Sequence, residues 1–139
     1  MRISMKDFVH RRKVRLQDTD ATGVLYFPEQ LKMALETFED FLSHHQLPLR
    51  KLIEDSLYLL PVVHAEADYL ALVMVGDELD IHLTIEALGT KSVTLAYRFF
   101  DIKRKIDVGT AKIIHVSVDK QTRQSVPIPN ILKDFLQPL

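Results

Sequence analysis

The sequence contains no cysteine in its 139 residues. Disulfides, thiolate nucleophiles and cysteine-based zinc sites are therefore excluded together, which makes an intracellular protein the default expectation. The N-terminal segment lacks the apolar stretch of a secretory signal, and no apolar run approaches the roughly 18 residues that span a bilayer. We therefore expect a cytoplasmic protein that does not associate with a membrane.

Glycine and proline are scarce, at 4 and 6 residues, and no linker-like tract or internal repeat interrupts the chain. Neither sign of charge dominates, because 18 Lys and Arg oppose 19 Asp and Glu. A nucleic-acid backbone is therefore not expected as the main partner. The length fits one compact domain over residues 1–139, whose partner is a small molecule or another protein.

One strongly amphipathic segment follows Pro28, which suits the first position of a helix because its missing N–H would be unpaired there. Apolar residues then recur at steps of three and four, opposite a charged face. They are Leu31, Ala34, Leu35, Phe38, Phe41 and Leu42. The pattern predicts a long helix that buries this stripe and ends before Pro48, with a short helix over residues 49–55 after it.

Five other segments have the composition of strands. Residues 12–17 alternate, with Val14 and Leu16 on one face. Residues 57–70, 78–88, 92–101 and 108–118 are rich in Val, Ile, Leu, Thr and Tyr and are separated by turn residues. One strand, a long helix and four consecutive strands predict an α+β fold, in which an antiparallel meander wraps around the helix.

The loop before the helix, residues 18–28 with the sequence DTDATGVLYFP, resembles the opening signature of the 4-hydroxybenzoyl-CoA thioesterase family. The turns GDEL at residues 76–79 and GTKS at residues 89–92 follow in the family's order and at compatible spacing. The resemblance implies the hotdog fold, an antiparallel five-stranded sheet wrapped around one long helix. It also implies an enzyme that hydrolyses acyl-CoA thioesters.

Within this family, residues 60–65 (LPVVHA) and 25–27 (LYF) resemble the 1,4-dihydroxy-2-naphthoyl-CoA thioesterases of the naphthoquinone pathway. This resemblance implies an aromatic acyl substrate. The alternatives are a broad short- to long-chain acyl-CoA or acyl-carrier-protein thioesterase and a non-catalytic acyl-CoA binding module, against which the retained Asp20 argues. Five aromatic side chains either line an acyl pocket or fill the core, and most are expected in the core: Tyr26, Phe27, Phe38, Phe41 and Tyr69.

Thioester hydrolysis needs a carboxylate nucleophile or an activated water, together with donors that stabilise the oxyanion. By resemblance, Asp20 is the catalytic carboxylate and the backbone N–H of Phe27 polarises the thioester carbonyl. Because Pro28 has no N–H, we expect the amides near Phe27 and Glu29 to be the free donors at the helix start. Asp20 either attacks directly or serves as a general base; the alternative is that it only closes an Asx turn.

Further site residues are assigned by resemblance or by residue type. Asp18, at the end of the first strand, is expected to bond to loop amides. The GTKS turn at residues 89–92 has the side chains and exposed amides that suit CoA phosphates, although an ordinary solvated hairpin turn explains it equally well. His64 either approaches the substrate or is a hydrogen-bonded core histidine. The expected substrate and CoA contacts are Tyr26, His64, Thr90, Lys91 and Ser92.

The six histidines show no metal-ligand spacing, because His44 and His45 are adjacent and no His-x3-His pair occurs. We therefore predict no metal and no cofactor. His82 and His115 lie in predicted strands, where nothing near them in sequence suggests a nucleophile to activate, and are expected to be structural. A hotdog hydratase would pair the loop carboxylate with a nearby histidine, but none lies between His10 and His44.

Two surfaces of the predicted layout need cover, namely one edge of the sheet and the start of the long helix. By family analogy, hotdog sheets pair into dimers and often into dimers of dimers, with active sites at the subunit interface. We therefore expect a homotetramer of this chain that takes an acyl-CoA substrate.

Overall fold

The computed structural model describes residues 8–55, 57–134 and 136–137. Its strands are β1 (Phe8–Lys13), β2 (Tyr58–Leu59), β3 (Val62–Tyr69), β4 (Glu78–Leu88), β5 (Ser92–Asp101), β6 (Ile106–Val116) and β7 (Val118–Asp119). Its helices are α1 (Glu29–His44), α2 (Leu49–Asp55) and α3 (Asn130–Lys133), and a 3-10 turn at Leu16–Asp18 follows β1. Among the helices of these residues, none has both the length and the apolar character needed to cross a membrane.

Five strands form one antiparallel sheet in the order β1-β4-β5-β6-β3, so β1 and β3 are its edges. A small second sheet pairs β2 with β7. The predicted five-stranded α+β fold is confirmed, but the consecutive meander is wrong for β3, which pairs with β6 and not with β4.

Residues 70–77 explain this topology, because they carry the chain across the end of the sheet from β3 to β4. The N–H groups of Leu70 and Ala71 donate to the Val108 carbonyl at distances of 3.0 and 3.2 Å. Arg104, in the turn between β5 and β6, donates to the Leu72 carbonyl at 2.8 Å. These contacts lie far apart in sequence, so strand composition alone could not indicate the crossing.

The hydrophobic core lies between α1 and one face of the sheet. Alternate side chains of β4 and β5 point to this face, as the two-residue period of a strand requires. The buried strand residues are Leu79, Ile81, Leu83, Ile85, Val93, Leu95, Tyr97 and Phe99, and α1 buries Met33, Ala34, Phe38, Phe41 and Leu42. The structure confirms the long helix after Pro28, the short helix over residues 49–55, and the strands at 78–88 and 92–101.

The first strand was predicted four residues too late, because β1 ends at Lys13. Val14 is buried as expected, but Leu16 is 76% exposed in the 3-10 turn that follows. On α1, Leu35 is 41% exposed, whereas the polar Thr37 is fully buried and donates to the Met33 carbonyl at 2.8 Å. Apolar spacing alone therefore did not identify every buried position.

Gln30 in the first turn of α1 joins the helix to the sheet. It is 1% exposed, and its side-chain amide donates to the carbonyls of Asp68 on β3 and Thr110 on β6, at 3.0 and 2.9 Å. Gly109 leaves room for this amide, because a Cβ at position 109 would lie 2.6 Å from its nitrogen and oxygen atoms. The start of α1 is thus positioned by a polar side chain that contacts two strands.

Asp18 is the second anchor of this region. Arg12 binds its carboxylate through both terminal nitrogens, at 2.6 and 3.1 Å, and the backbone N–H of Arg15 donates to it at 2.8 Å. Arg12 also donates to Glu36 on α1 at 3.0 Å. Burial by itself would raise the pKa of Asp18, but the hydrogen bonds from Arg12 and Arg15 outweigh burial and lower it. Asp18 therefore bonds a loop amide, as expected, and additionally forms a buried ion pair.

Replacing Asp18 by Asn should lower the free energy of unfolding at pH 7 by about 3 kcal/mol, because it removes the buried carboxylate that Arg12 binds through two nitrogens and leaves Arg12 only its bond to the more exposed Glu36. Because the folded-state pKa of Asp18 lies below its ordinary 3.8, its contribution is present above about pH 4 and is lost as the pH falls through the folded value. Urea unfolding of both proteins at several pH values would show their stabilities converging in acid. A constant difference down to about pH 2 would contradict the ion pair.

Replacing Gly109 by Ala should destabilise the fold by about 2 kcal/mol, because the new methyl group displaces the Gln30 amide from both of its carbonyl acceptors. Urea unfolding of Gly109→Ala, Gln30→Ala and the double variant forms the test. In the Gln30→Ala background the glycine substitution should cost much less, since the clashing amide is gone. Equal costs in the two backgrounds would show that the close approach to Gln30 is not the cause.

Candidate active site

Asp20 lies at the tip of a tight loop that a bridge between Thr19 and Leu25 closes. Its backbone N–H donates to the Val24 carbonyl at 2.9 Å, and Gly23 adopts a positive φ of 79° that completes the turn. The loop is held against residues 73–77, since Leu25 donates to the Val73 carbonyl at 2.8 Å. Asp20 is therefore fixed at the end of the sheet where residues 70–77 cross.

The carboxylate of Asp20 is exposed and asymmetrically bonded. Its Oδ1 accepts hydrogen bonds from the hydroxyl and the amide of Thr22, at 2.6 and 2.8 Å, and a longer one from the Val24 amide at 3.4 Å. These bonds, that from the Thr22 hydroxyl first, lower the pKa of Asp20. Its Oδ2 accepts no hydrogen bond from the residues that the structure describes. The Asx turn is therefore present, and it holds an ionised carboxylate with one oxygen free.

At the start of α1 the amide of Phe27 lacks an acceptor among the described residues. The Tyr26 N–H donates to the Asp18 carbonyl and the Glu29 N–H donates to the Tyr26 carbonyl, both at 2.9 Å. Pro28 has no N–H, and within the described part of the chain the Phe27 N–H donates to no acceptor. The expectation is wrong for Glu29, whose amide closes a turn, but the Phe27 amide is available at the positive end of the helix dipole.

Three of the five aromatic side chains expected in the core are on the surface beside this helix start. Tyr26, Phe27 and Tyr69 are 50, 61 and 49% exposed, whereas Phe38 and Phe41 are buried as expected. The Tyr69 hydroxyl donates to the Phe27 carbonyl at 2.7 Å, which ties the end of β3 to the helix start. Leu70 adds to this exposed apolar area, which is typical of a surface that a partner or ligand covers.

The remaining predicted contacts lie at the other end of the sheet. Thr90, Lys91 and Ser92 are in the β4–β5 turn, where the Gly89 N–H donates to the Ser92 carbonyl at 2.8 Å. β4 runs from the Asp20 end to this turn over 11 residues, a length of about 35 Å. Asp20 and Lys91 of one chain are therefore not brought together.

His64 also lies at the far end, on the face of the sheet away from α1. A register shift between Val62 and His64 places Val62 opposite the buried His115, but His64 opposite Ile114. Val62 and His64 therefore lie on opposite faces of the sheet, although strict strand alternation would place them on the same face. The His64 ring is 3.0 Å from a Glu66 carboxylate oxygen and is exposed, so the core-histidine alternative is also wrong.

A groove of about 950 Å³ runs along the exposed flank of α1 at this far end. Its lining is mainly apolar and includes Leu35, Phe38, Leu52, Leu60, Val62 and His115, whereas Asp20 is not part of it. The sequence pattern does not indicate this groove, because Leu35 and Phe38 belong to one helical stripe and their spacing does not distinguish a groove wall from a core contact.

Comparisons with known proteins agree on one family. The sequence model of one protein family, the thioesterase-like superfamily, matches residues 14–137. A 1,4-dihydroxy-2-naphthoyl-CoA hydrolase from Synechococcus elongatus is 38% identical over 134 residues, which cover 96% of this chain and 97% of the relative.

Solved structures extend this agreement to the fold. A 1,4-dihydroxy-2-naphthoyl-CoA thioesterase from Synechocystis superposes with a TM-score of 0.88 at 31% identity, over 94% of this chain and 95% of that one. A gentisyl-coenzyme A thioesterase superposes with a TM-score of 0.81 at 25% identity, over 91% and 99%. With its helix-wrapped sheet and the loop motif around Asp20, this chain belongs to the thioesterase-like superfamily of hotdog proteins and is a thioester hydrolase of the acyl-CoA thioesterase family.

Proposed function

We propose that this enzyme hydrolyses an aromatic acyl-CoA, with 1,4-dihydroxy-2-naphthoyl-CoA as the best candidate. The observation that carries the catalytic part is the ionised Asp20 carboxylate with a free Oδ2, on the loop that leads to the unpaired Phe27 amide. The named substrate is supported by the 38% identical Synechococcus relative. The likeness to a gentisyl-coenzyme A thioesterase favours another hydroxylated aromatic acyl group as a second candidate.

In the proposed mechanism the thioester carbonyl oxygen accepts the hydrogen bond of the Phe27 N–H. The positive end of the α1 dipole stabilises the negative charge that develops on this oxygen. Oδ2 of Asp20 either attacks the carbonyl carbon or takes a proton from a water that attacks it. The C–S bond breaks and the CoA sulfur takes up a proton. If Asp20 attacks directly, water then cleaves the anhydride between Asp20 and the acyl group and frees the carboxylate; in either case water supplies the second oxygen of the free acid.

We propose that a second copy of this chain completes the site. Among the described residues, the edge strand β3 pairs with a strand on one side only, and four apolar side chains at its two ends, Val62, Val63, Tyr69 and Leu70, are 43 to 59% exposed. An uncovered edge of this kind is a template for strand pairing. Antiparallel pairing of two β3 strands about their centre would place Phe27 and Tyr69 of one copy beside Val62 of the other.

This arrangement would join the two separated halves of the predicted site. The Asp20 loop of one copy would face the groove and the β4–β5 turn of its partner, where Thr90, Lys91 and Ser92 are available to CoA phosphates. The acyl group would lie in the groove, and Tyr26 would flank it at the subunit boundary. His64 faces away from α1 in one chain, so its contact with substrate stays a prediction. Two such dimers would form the expected homotetramer.

Replacing Asp20 by Asn should lower kcat/KM by about a thousandfold, because the amide neither attacks the thioester nor takes a proton from water. Thiol release would be measured on 1,4-dihydroxy-2-naphthoyl-CoA, benzoyl-type CoA thioesters, and short to long aliphatic acyl-CoA. Asp119→Asn is the matched control, because Asp119 also accepts bonds from two following amides, at 2.8 and 2.9 Å, in a turn outside the Asp20 loop.

The control should keep wild-type turnover, and both variants should unfold at temperatures close to that of the native protein. Turnover of one acyl class, lost only in Asp20→Asn, would establish the catalytic carboxylate and name the substrate class. Native protein that releases no thiol from any thioester would instead favour the non-catalytic binding module, and an unaffected Asp20→Asn would remove the mechanism above.

Replacing Val63 by Asp should break the proposed assembly, because it places like charges against each other across the β3 pair. Light scattering should give the mass of four 16.0 kDa chains for the native protein and a smaller species for the variant, with reduced turnover. Val9→Asp is the matched control, since Val9 is a similarly exposed valine on the opposite edge strand. A native protein with the mass of one chain would disprove the shared site.

A further inference from the structure

His115 on β6 is a buried histidine at the floor of the groove. It is 3% exposed, and its ring lies 4.8 Å from that of Phe38 on α1. Its Nδ1 is 2.9 Å from the Leu60 carbonyl oxygen. Because a carbonyl oxygen only accepts hydrogen bonds, Nδ1 carries the proton and Nε2 carries the lone pair. The second ring nitrogen is therefore an oriented acceptor.

This acceptor has no partner. Among the described residues, three buried side chains have a polar atom without a hydrogen bond, namely the Tyr97 hydroxyl, Nε2 of His115 and the Ser117 hydroxyl. Of these, only His115 belongs to the groove lining. Burial lowers the pKa of His115, with a smaller opposing effect from its bond to Leu60. The ring is therefore neutral near pH 7, and Nε2 can accept but not donate.

We propose that Nε2 of His115 accepts a hydrogen bond from a hydroxyl group on the acyl part of the substrate, so that His115 determines specificity for hydroxylated aromatic acyl groups. This inference rests on the proposed function, because it requires the groove to hold the acyl group. The apolar walls, among them Leu35 and Leu52, accept a ring of any substitution. Nε2, a buried and unpaired acceptor among the described lining residues, distinguishes acyl groups that carry a suitably placed donor.

Discrimination follows from the cost of leaving a buried acceptor unpaired. Nε2 is shielded from solvent, so a ring hydroxyl that donates to it satisfies a buried acceptor, whereas the same ring without the hydroxyl leaves that acceptor unpaired. Sites built to bind a substrate hydroxyl reject the analogue that lacks it more strongly than sites that only measure size. A volume of about 950 Å³ is ample for a fused two-ring acyl group.

The test compares two thioesters that differ in one hydroxyl, 1-hydroxy-2-naphthoyl-CoA and 2-naphthoyl-CoA. The native enzyme should prefer the hydroxylated thioester in kcat/KM by about tenfold. His115→Phe keeps a ring against Phe38 but has no acceptor, so the ratio should fall to about one through loss on the hydroxylated substrate alone. His115→Gln, whose side-chain oxygen can take the place of Nε2, should retain part of the preference.

Tyr97→Phe is the matched control, because it removes a buried unpaired hydroxyl that does not line the groove. It should leave the ratio unchanged. A native enzyme without preference for the hydroxylated thioester would overturn the proposal even if the His115 variants fail to fold. An equal loss on both substrates in His115→Phe would also overturn it, because that is the effect of a purely structural histidine.

Calorimetric binding of the two free acids, 1-hydroxy-2-naphthoate and 2-naphthoate, separates this inference from the proposed function. Tighter binding of the hydroxylated acid to native protein, lost in His115→Phe, would support the acceptor role even if no thioester is hydrolysed. Hydrolysis of both thioesters with equal binding of the two acids would keep the enzyme and remove the role of His115.

Discussion

The buried carboxylate of Asp18 holds together the region that carries Asp20, the proposed catalytic residue. Its two oxygens bind Arg12 on β1 and the amide of Arg15, while its backbone carbonyl accepts the Tyr26 N–H at the entrance to α1. Arg12 continues the connection to Glu36 on the helix. The Asp20 loop leaves and returns between these points, so the position of the reactive carboxylate is set by a neighbouring carboxylate that has no free oxygen of its own.

The geometry of one chain is the reason for proposing that the site extends beyond it. β4 has 11 residues and is about 35 Å long, and the Asp20 loop and the Lys91 turn lie at its opposite ends. No rotation of side chains closes such a distance, whereas antiparallel pairing of the β3 edge would close it at once. The exposed Tyr26, Phe27 and Tyr69 fit the same explanation, because apolar side chains that surround a catalytic loop are stable there once a partner covers them.

Local patterns in the sequence predicted those features that depend on local physics. The three- and four-residue spacing after Pro28 predicted α1, and β-branched composition predicted β4 and β5 with correct bounds. Features that depend on long-range contacts were not predicted. The crossing of residues 70–77 depends on Arg104, and the bulge before His64 depends on the register between β3 and β6. The loop motif indicated Asp20 and Phe27, whose catalytic roles stay predictions, whereas the acceptor role proposed for His115 depends on Leu60 and Phe38, which no sequence spacing relates to it.

The two polar groups proposed to act on the substrate need opposite environments. Asp20 must be ionised, and its low pKa depends on hydrogen bonds from Thr22 in a solvated loop. The same carboxylate in the apolar groove would have its pKa raised by desolvation. His115 must be neutral, and its burial, which lowers its pKa, keeps it so. In a site divided between two copies, the Asp20 carboxylate would stay solvated and His115 would stay buried until the thioester joins them, so substrate binding itself would bring the charged nucleophile or base beside the mainly apolar groove.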